Sequence, residues 1–331
     1  MDFALATPPP AARTIPPDQL SDALVTVGSQ LLSAGYHFIT TTPATHTRVE
    51  RRGIADRAGS LRAIFGWNQP FPDHALPSAL LDTLEDAGLL RVTPDGLRCS
   101  VRFSTIGGRI YAHEGFPTLA PDAVFFGPDT YRFVAAVRGR LRPCDLLIDL
   151  GSGSGAGGLE AADAAQRVVL TDINPRATAF ATANCRLAGR PRIVTATGDL
   201  LDGIDEAPDA IIANPPYLAD PLGRIYRDGA GDLGTGLSLR IVETALERLA
   251  PGGQLILYTG SPIVAGKDRF ATAAARLIAT SGASGSYEEL DPDVFGEELE
   301  MPGYAEVDRI AAVLLTVTMP QQPAGRRNHV A

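Results

Sequence analysis

Apolar positions follow two rhythms along this 331-residue chain, and the change between them near residue 120 divides it. From Pro17 the rhythm is helical: Leu20, Leu24, Val27, Leu31 and Leu32 recur at helical spacing and stop at Gly35. Shorter helices are expected over 47–55 and 60–65. Pro77 opens another, with Leu80, Leu81, Leu84 and Ala87 on one face and Gly88 as its stop. The period then shortens to that of strands: 89–92, the turn Pro94-Asp95-Gly96 and 97–103 predict a hairpin, with a further strand at 110–112. Several helices followed by a hairpin suggest a winged-helix-like N-terminal domain over 17–114, with a substrate-recognition or packing role.

Past a proline-bearing linker at 115–122, short unbroken apolar runs alternate with helical stretches. Residues 146–150, 168–172, 192–197, 210–214 and 254–259 read as strands, and 155–165, 175–187, 238–249 and 268–280 as helices. Two more strands, 287–290 and 310–319, close the set. Such alternation predicts an α/β fold over 123–319: a doubly wound, Rossmann-like parallel sheet. Residues 1–16 and 320–331 are expected to be a disordered and a flexible tail.

Three of these strand ends carry chemistry. The first runs Asp149-Leu150-Gly151-Ser152-Gly153-Ser154-Gly155, a tight turn that lets backbone approach a ligand and then starts a helix. The second ends at Asp172, about 20 residues past the first glycine, where a carboxylate can hold both ribose hydroxyls of a nucleoside. Asp149 separates two cofactor readings. An acid there would repel the diphosphate of a dinucleotide but would favour the ammonium and sulfonium of S-adenosyl-L-methionine (SAM). The third strand ends in Asn214-Pro215-Pro216-Tyr217. Two prolines stiffen the backbone and leave the Asn214 side-chain oxygen and the Pro215 carbonyl as fixed acceptors. They suit the two N–H bonds of a planar –NH2 group, with Tyr217 stacked on its face. Gly198-Asp199-Leu200 follows a fourth strand and reads either as an adenine-contacting step or as an ordinary turn.

With those residues in place, the chain resembles the class I SAM-dependent methyltransferases that act on planar nitrogens. Within them, 126–260 is most similar to the HemK-type protein-glutamine N5-methyltransferases, which modify peptide-chain release factors. Phe126-Gly127-Pro128-Asp129-Thr130-Tyr131 is similar to the family's segment ahead of the glycine loop, and 233–241 to its Gly-Leu stretch. Tyr258-Thr259-Gly260 stands where the family carries Glu-x-Gly. The resemblance implies an antiparallel last strand and SAM held by Asp149, Gly151, Ser152, Gly153, Gly155, Asp172, Asp199, Leu200 and Asn214. It also implies an acceptor site built from Asn214, Pro215, Pro216 and Tyr217, and a protein glutamine presented on an extended loop.

Composition narrows the partners. The formal charge is −9, and residues 1–120 hold ten arginines and no lysine against eleven acids, so most of the negative excess lies in the second part. That balance disfavours a nucleic-acid partner. The cluster Arg48, Arg51, Arg52, Arg57 and Arg62 reads as a solvated face, as does the acid-dense stretch 288–308. Three scattered cysteines, no basic leader and no 18-residue apolar run predict a cytoplasmic, membrane-free protein. Five histidines without ligand spacing predict no metal. Three other readings stay open: methylation of an exocyclic amine in RNA, DNA or a small molecule, a non-catalytic SAM-binding or partner-docking module, and, disfavoured by Asp149, a nicotinamide oxidoreductase.

Overall fold

The alternating apolar runs form one twisted sheet. The computed structural model describes residues 15–53 and 59–321; the tail expectations, and part of the expected 47–55 helix, lie outside them. In chain order the elements are α1 (Pro17–Ser33), α2 (Pro43–Arg51), α3 (Leu61–Phe65), α4 (Ser78–Asp86), β1 (Leu90–Thr93), β2 (Gly96–Cys99), β3 (Val101–Ile106) and β4 (Arg109–Glu114). They continue as α5 (Pro128–Arg140), β5 (Cys144–Leu150), α6 (Ala156–Ala161), β6 (Ala165–Asp172), α7 (Pro175–Leu187), β7 (Val194–Thr197), β8 (Ala210–Ala213) and α8 (Gly236–Arg248). The chain ends through β9 (Gln254–Val264), β10 (Lys267–Asp268), α9 (Arg269–Ser281), β11 (Ser284–Asp291) and β12 (Arg309–Thr318).

The sheet order is β11-β12-β9-β8-β5-β6-β7, with β10 added to β9. β5 to β9 run parallel, and β12 lies antiparallel between β9 and β11, as expected. The order reverses at β5, whose neighbours are β6 on one side and β8 on the other. In such sheets the crevice at that reversal, outside the carboxyl ends of the strands, takes the ligand. Phe133 and Val137 of α5 and Leu159 of α6 cover one sheet face, and Ile241 and Val242 of α8 with Phe270 of α9 cover the other. Both faces being covered explains why β5 and β8 read as unbroken apolar runs.

Four features differ from expectation. The single hairpin is two: β1 with β2, and β3 with β4, meeting only at Cys99 to Val101. Helix α5 is an addition to the expected elements, and Pro128 at its first turn with Phe133, Val134, Ala136 and Val137 carries its helical signal. The N-terminal segment also shares a core with the sheet domain, because Leu24, Val27, Phe103 and Ala112 cluster with Ala177, Phe180 and Ala183 of α7. The acid-dense stretch is likewise no simple solvated loop. Glu298 is buried and accepts from Arg227, Asp291 accepts from Arg132, and Glu289 pairs with Arg309. No helix among the described residues is long and apolar enough to cross a membrane.

Candidate active site

An open cleft lies at the carboxyl ends of β5, β6 and β8. Every sequence-predicted residue except Gly155 lines it. Gly155 instead caps α6 in a left-handed conformation, its α-carbon turned toward Leu170 and Ala181. Gly151 and Gly153 have φ of +64° and +53°, and a Cβ on either would project into open space. Their backbone therefore presents a bare surface to the cleft.

The strand-end acids are already engaged by backbone. Asp172 accepts from Gly153 N through Oδ2 and from Asn174 N through Oδ1, each at 2.9 Å, which ties the glycine loop to the end of β6. Burial raises its pKa, and the two N–H donors pull it back. Each carboxylate oxygen keeps a second lone pair for a ligand hydroxyl. Asp149 is 1% exposed and accepts from Gly158 N at 2.7 Å. Burial pushes its carboxyl up to about 7; the Gly158 N–H opposes this and nearby Asp172 adds to it. Asp199 both lines the cleft and forms a turn, and Arg240 donates to its carboxylate at 2.8 Å. Leu200 beside it has φ of +52°.

Asn214 stands at the end of β8, partly exposed, and its side chain makes no hydrogen bond among the described residues. The Pro215 carbonyl is equally unengaged. Both predicted acceptors are thus available to one group in the cleft. Tyr217 is 6% exposed, and its hydroxyl donates to Asp129 at 2.5 Å, so it forms a fixed wall rather than a swinging plate.

Several wall residues carried no site signal in the sequence reading. Ile173, 58% exposed and directly after Asp172, offers an apolar surface, and an isoleucine placed straight after a strand-end acid was the readable hint. Phe125, Ile225, Tyr226, Arg227 and Phe295 come from three segments that close over the mouth. Those segments bind one another: Ile225 N donates to Pro121 O at 3.0 Å, Tyr226 Oη to Thr118 O at 2.8 Å, and Arg227 to Glu298. Among the described residues, no histidine, lysine, cysteine or glutamate lines the cleft.

The donor set fits a nucleoside that also bears a cation. Bare glycine backbone, an acid placed for a ribose, a second buried acid and the buried, unpartnered Ser152 Oγ all border the same space. The raised pKa of Asp149 makes the fit testable. An ammonium-bearing ligand favours the carboxylate, so its binding releases a proton from Asp149 below pH 7. Affinity for S-adenosylhomocysteine, which keeps the ammonium, is expected to fall about 10-fold from pH 8 to pH 6. Calorimetry on Asp149→Asn should show that dependence flattened; an unchanged slope would remove Asp149 from the ammonium site. In the unliganded protein the sign is opposite. With its folded-state pKa raised, Asp149 contributes stability that is full below the carboxylate's ordinary range near 4 and lost as pH rises through about 7.

Comparison with known proteins agrees with the geometry. Residues 141–267 match the family model described as methyltransferase small domain. A release factor glutamine methyltransferase of Rhodopirellula baltica is 33% identical over 150 residues, 39% of this chain and 50% of that protein. The protein of the same name from Deinococcus radiodurans is 32% identical over 164 residues, 46% of this chain and 55% of its own length. A ribosomal protein L11 methyltransferase of Geobacillus kaustophilus is 34% identical over 131 residues, covering 39% and 36%. The chain spans about half the length of the curated release factor relatives it matches. Residues 141–267, which hold the glycine loop, Asp172 and Asn214, are therefore similar to the methyltransferase small domain, and methyl transfer by such a domain draws on SAM.

Proposed function

We propose that the whole protein is an N-methyltransferase whose acceptor is the side-chain amide of a protein glutamine. The observation that carries this is Asn214, whose side chain makes no hydrogen bond among the described residues and stands on the wall of the cleft that Asp172 and the glycine loop also line. An amide nitrogen is a poor nucleophile, because its lone pair is shared with its carbonyl. Asn214 Oδ1 and the Pro215 carbonyl accept its two N–H bonds, return electron density to nitrogen and take up the positive charge that develops there. When bound, the cofactor supplies an electrophilic methyl on a sulfonium. Tyr217 confines the acceptor plane, and holding the two groups in line accounts for about 7–11 kcal/mol of barrier reduction. No base is needed in this account. It is supported by the commitment of the cleft's carboxylates: Asp129 to two tyrosines and Arg132, Asp149 to Gly158 N–H, Asp172 to two backbone N–H groups and Asp199 to Arg240.

Two observations favour protein over nucleic acid. The arginines at the mouth are neutralised internally, Arg224 by Asp220 at 2.6 Å and Arg227 by Asp220 and Glu298. Among the described residues that line the mouth, a phosphate backbone would find no arginine without an acid partner. The curated relatives named above are, by name, methyltransferases of proteins. The test is transfer from labelled SAM in a cell extract, divided between protease and nuclease treatments and repeated across salt. Protease-sensitive label with weak salt dependence is expected. Nuclease-sensitive label that falls steeply from low to physiological salt would transfer the assignment to the exocyclic amine of a nucleobase.

A further inference from the structure

Asp129, the second residue of α5, lies 4% exposed in the wall of the cleft and takes three donors on one carboxylate. Tyr217 Oη donates to Oδ2 at 2.5 Å, while Tyr258 Oη at 2.8 Å and Arg132 Nη1 at 3.0 Å donate to Oδ1. Arg132 continues to Asp291 Oδ2 at 3.0 Å, at the end of β11. A buried carboxylate is tolerated where charge-assisted bonds replace its water, and these three do so. Burial and the neighbouring Asp129 charge raise the pKa of both tyrosines, so both hydroxyls stay protonated and donate.

The Tyr217 ring is fixed on its other sides as well. A Cβ on Gly260 would lie 2.2 Å from Tyr217 Cδ2 and 2.5 Å from Cε2, so the ring rests against backbone that only glycine leaves bare. Phe295 meets it edge-on, with centroids 5.9 Å apart and planes at 66°. One hydrogen bond to an anchored carboxylate and two packed surfaces hold the Tyr217 ring in a single orientation.

Building on the methyl-transfer reading above, we infer that Asp129 is a positioning residue for that reaction. With Tyr258 it sets the plane of Tyr217, and Tyr217 sets the plane of the acceptor. Asp129 acts through the tyrosine and does not touch the acceptor. Its loss therefore appears in turnover and leaves cofactor binding alone, because the glycine loop, Asp149 and Asp172 make no hydrogen bond to it.

The experiment is a double-variant cycle of Asp129→Asn, Tyr217→Phe and the pair. It uses labelled SAM, the protein fraction of a cell extract as acceptor, and calorimetric titration with S-adenosylhomocysteine. Each single variant is expected to lose about 10-fold in kcat, to stay within about twofold in S-adenosylhomocysteine affinity, and to be no better than the double. Should Asp129→Asn not fold, Tyr258→Phe takes its place, since it removes one donor to the same carboxylate and keeps the ring. Losses that multiply in the double variant, or that fall wholly on KM or cofactor affinity, overturn the inference. Asn214→Ala, run alongside, separates the two readings. If it keeps full turnover, the methyl-transfer reading itself fails. If it loses turnover while the Asp129 and Tyr217 losses multiply, only the positioning role fails.

Discussion

Asn214→Ala loses at least about 100-fold in turnover while binding S-adenosylhomocysteine nearly as well as the unaltered protein. Removing one preorganised polar group from a comparable site costs about 10²–10³ in rate, because the group is aimed at charge that develops only in the transition state. Asn214 fits that description. It ends a four-residue strand that is buried throughout, two prolines follow it, and its side chain spends no hydrogen bond on the fold. Truncating it therefore leaves structure intact and removes one of two acceptors. Asn214→Asp makes a finer contrast, since the acceptor remains but a charge is added beside the cation. It should retain cofactor affinity and still misplace the nitrogen. Methyl transfer to the extract acceptor, beside calorimetry on the same preparations, separates the cases. Full turnover in Asn214→Ala would reduce Asn-Pro-Pro-Tyr to a strand terminator.

Asp172→Ala has the second large effect, and it falls on binding. The substitution removes the ligand contact expected of Asp172 and also leaves Gly153 N and Asn174 N without their acceptor. Bonds to a charged group are worth about 1.5–3 kcal/mol each, and losing the loop's tie to β6 frees the backbone that faces the cofactor. S-adenosylhomocysteine affinity is expected to fall by about 100-fold, with a lower melting temperature. Asp172→Asn keeps one acceptor oxygen and should lie between. Calorimetry and thermal melts decide it: wild-type affinity in Asp172→Ala would mean that the glycine loop holds its shape unaided and that Asp172 makes no ligand contact.

What the sequence made legible was local. β5, β6 and β8 announce themselves because an apolar run buried on both faces stops at a glycine, an acid or a proline, and the residues after the stop are the ones that line the cleft. Helix α7 came out residue for residue, bounded by Asn174 with Pro175 and by Leu187. Helix α6 came out too long, because alanine and glycine up to residue 165 give no stop signal and Ala165 belongs to β6. β9 came out five residues short. Gly260 and Pro262 look like breakers, yet the strand continues to Val264 because Arg309–Thr318 pairs along its whole length, which the segment itself does not encode. The wall around Asn214 was illegible for the same reason. Asp129 and Phe295 meet Tyr217, and Tyr258 meets Asp129, all from far along the chain. Tyr258, a departure from the resembled family's Glu-x-Gly, gains a physical role only once Asp129 is seen beside it.

Helix α7 belongs to two cores at once. One side rests near β6 and the glycine loop, where Asn184 Nδ2 donates to Ser154 O at 2.9 Å; the same side chain grips both backbone groups of Ala112 in β4, and α1 comes so close that a Cβ on Gly28 would strike Leu187 at 2.6 Å. The N-terminal segment therefore cannot be traded between homologues like a detachable cassette. A chain begun at residue 123 would bare Ala177, Phe180 and Ala183 to water and unseat Asn184 from the strand it braces. A front portion brought in from another chain must therefore carry its own α7 with it, which places any workable junction beyond Leu187.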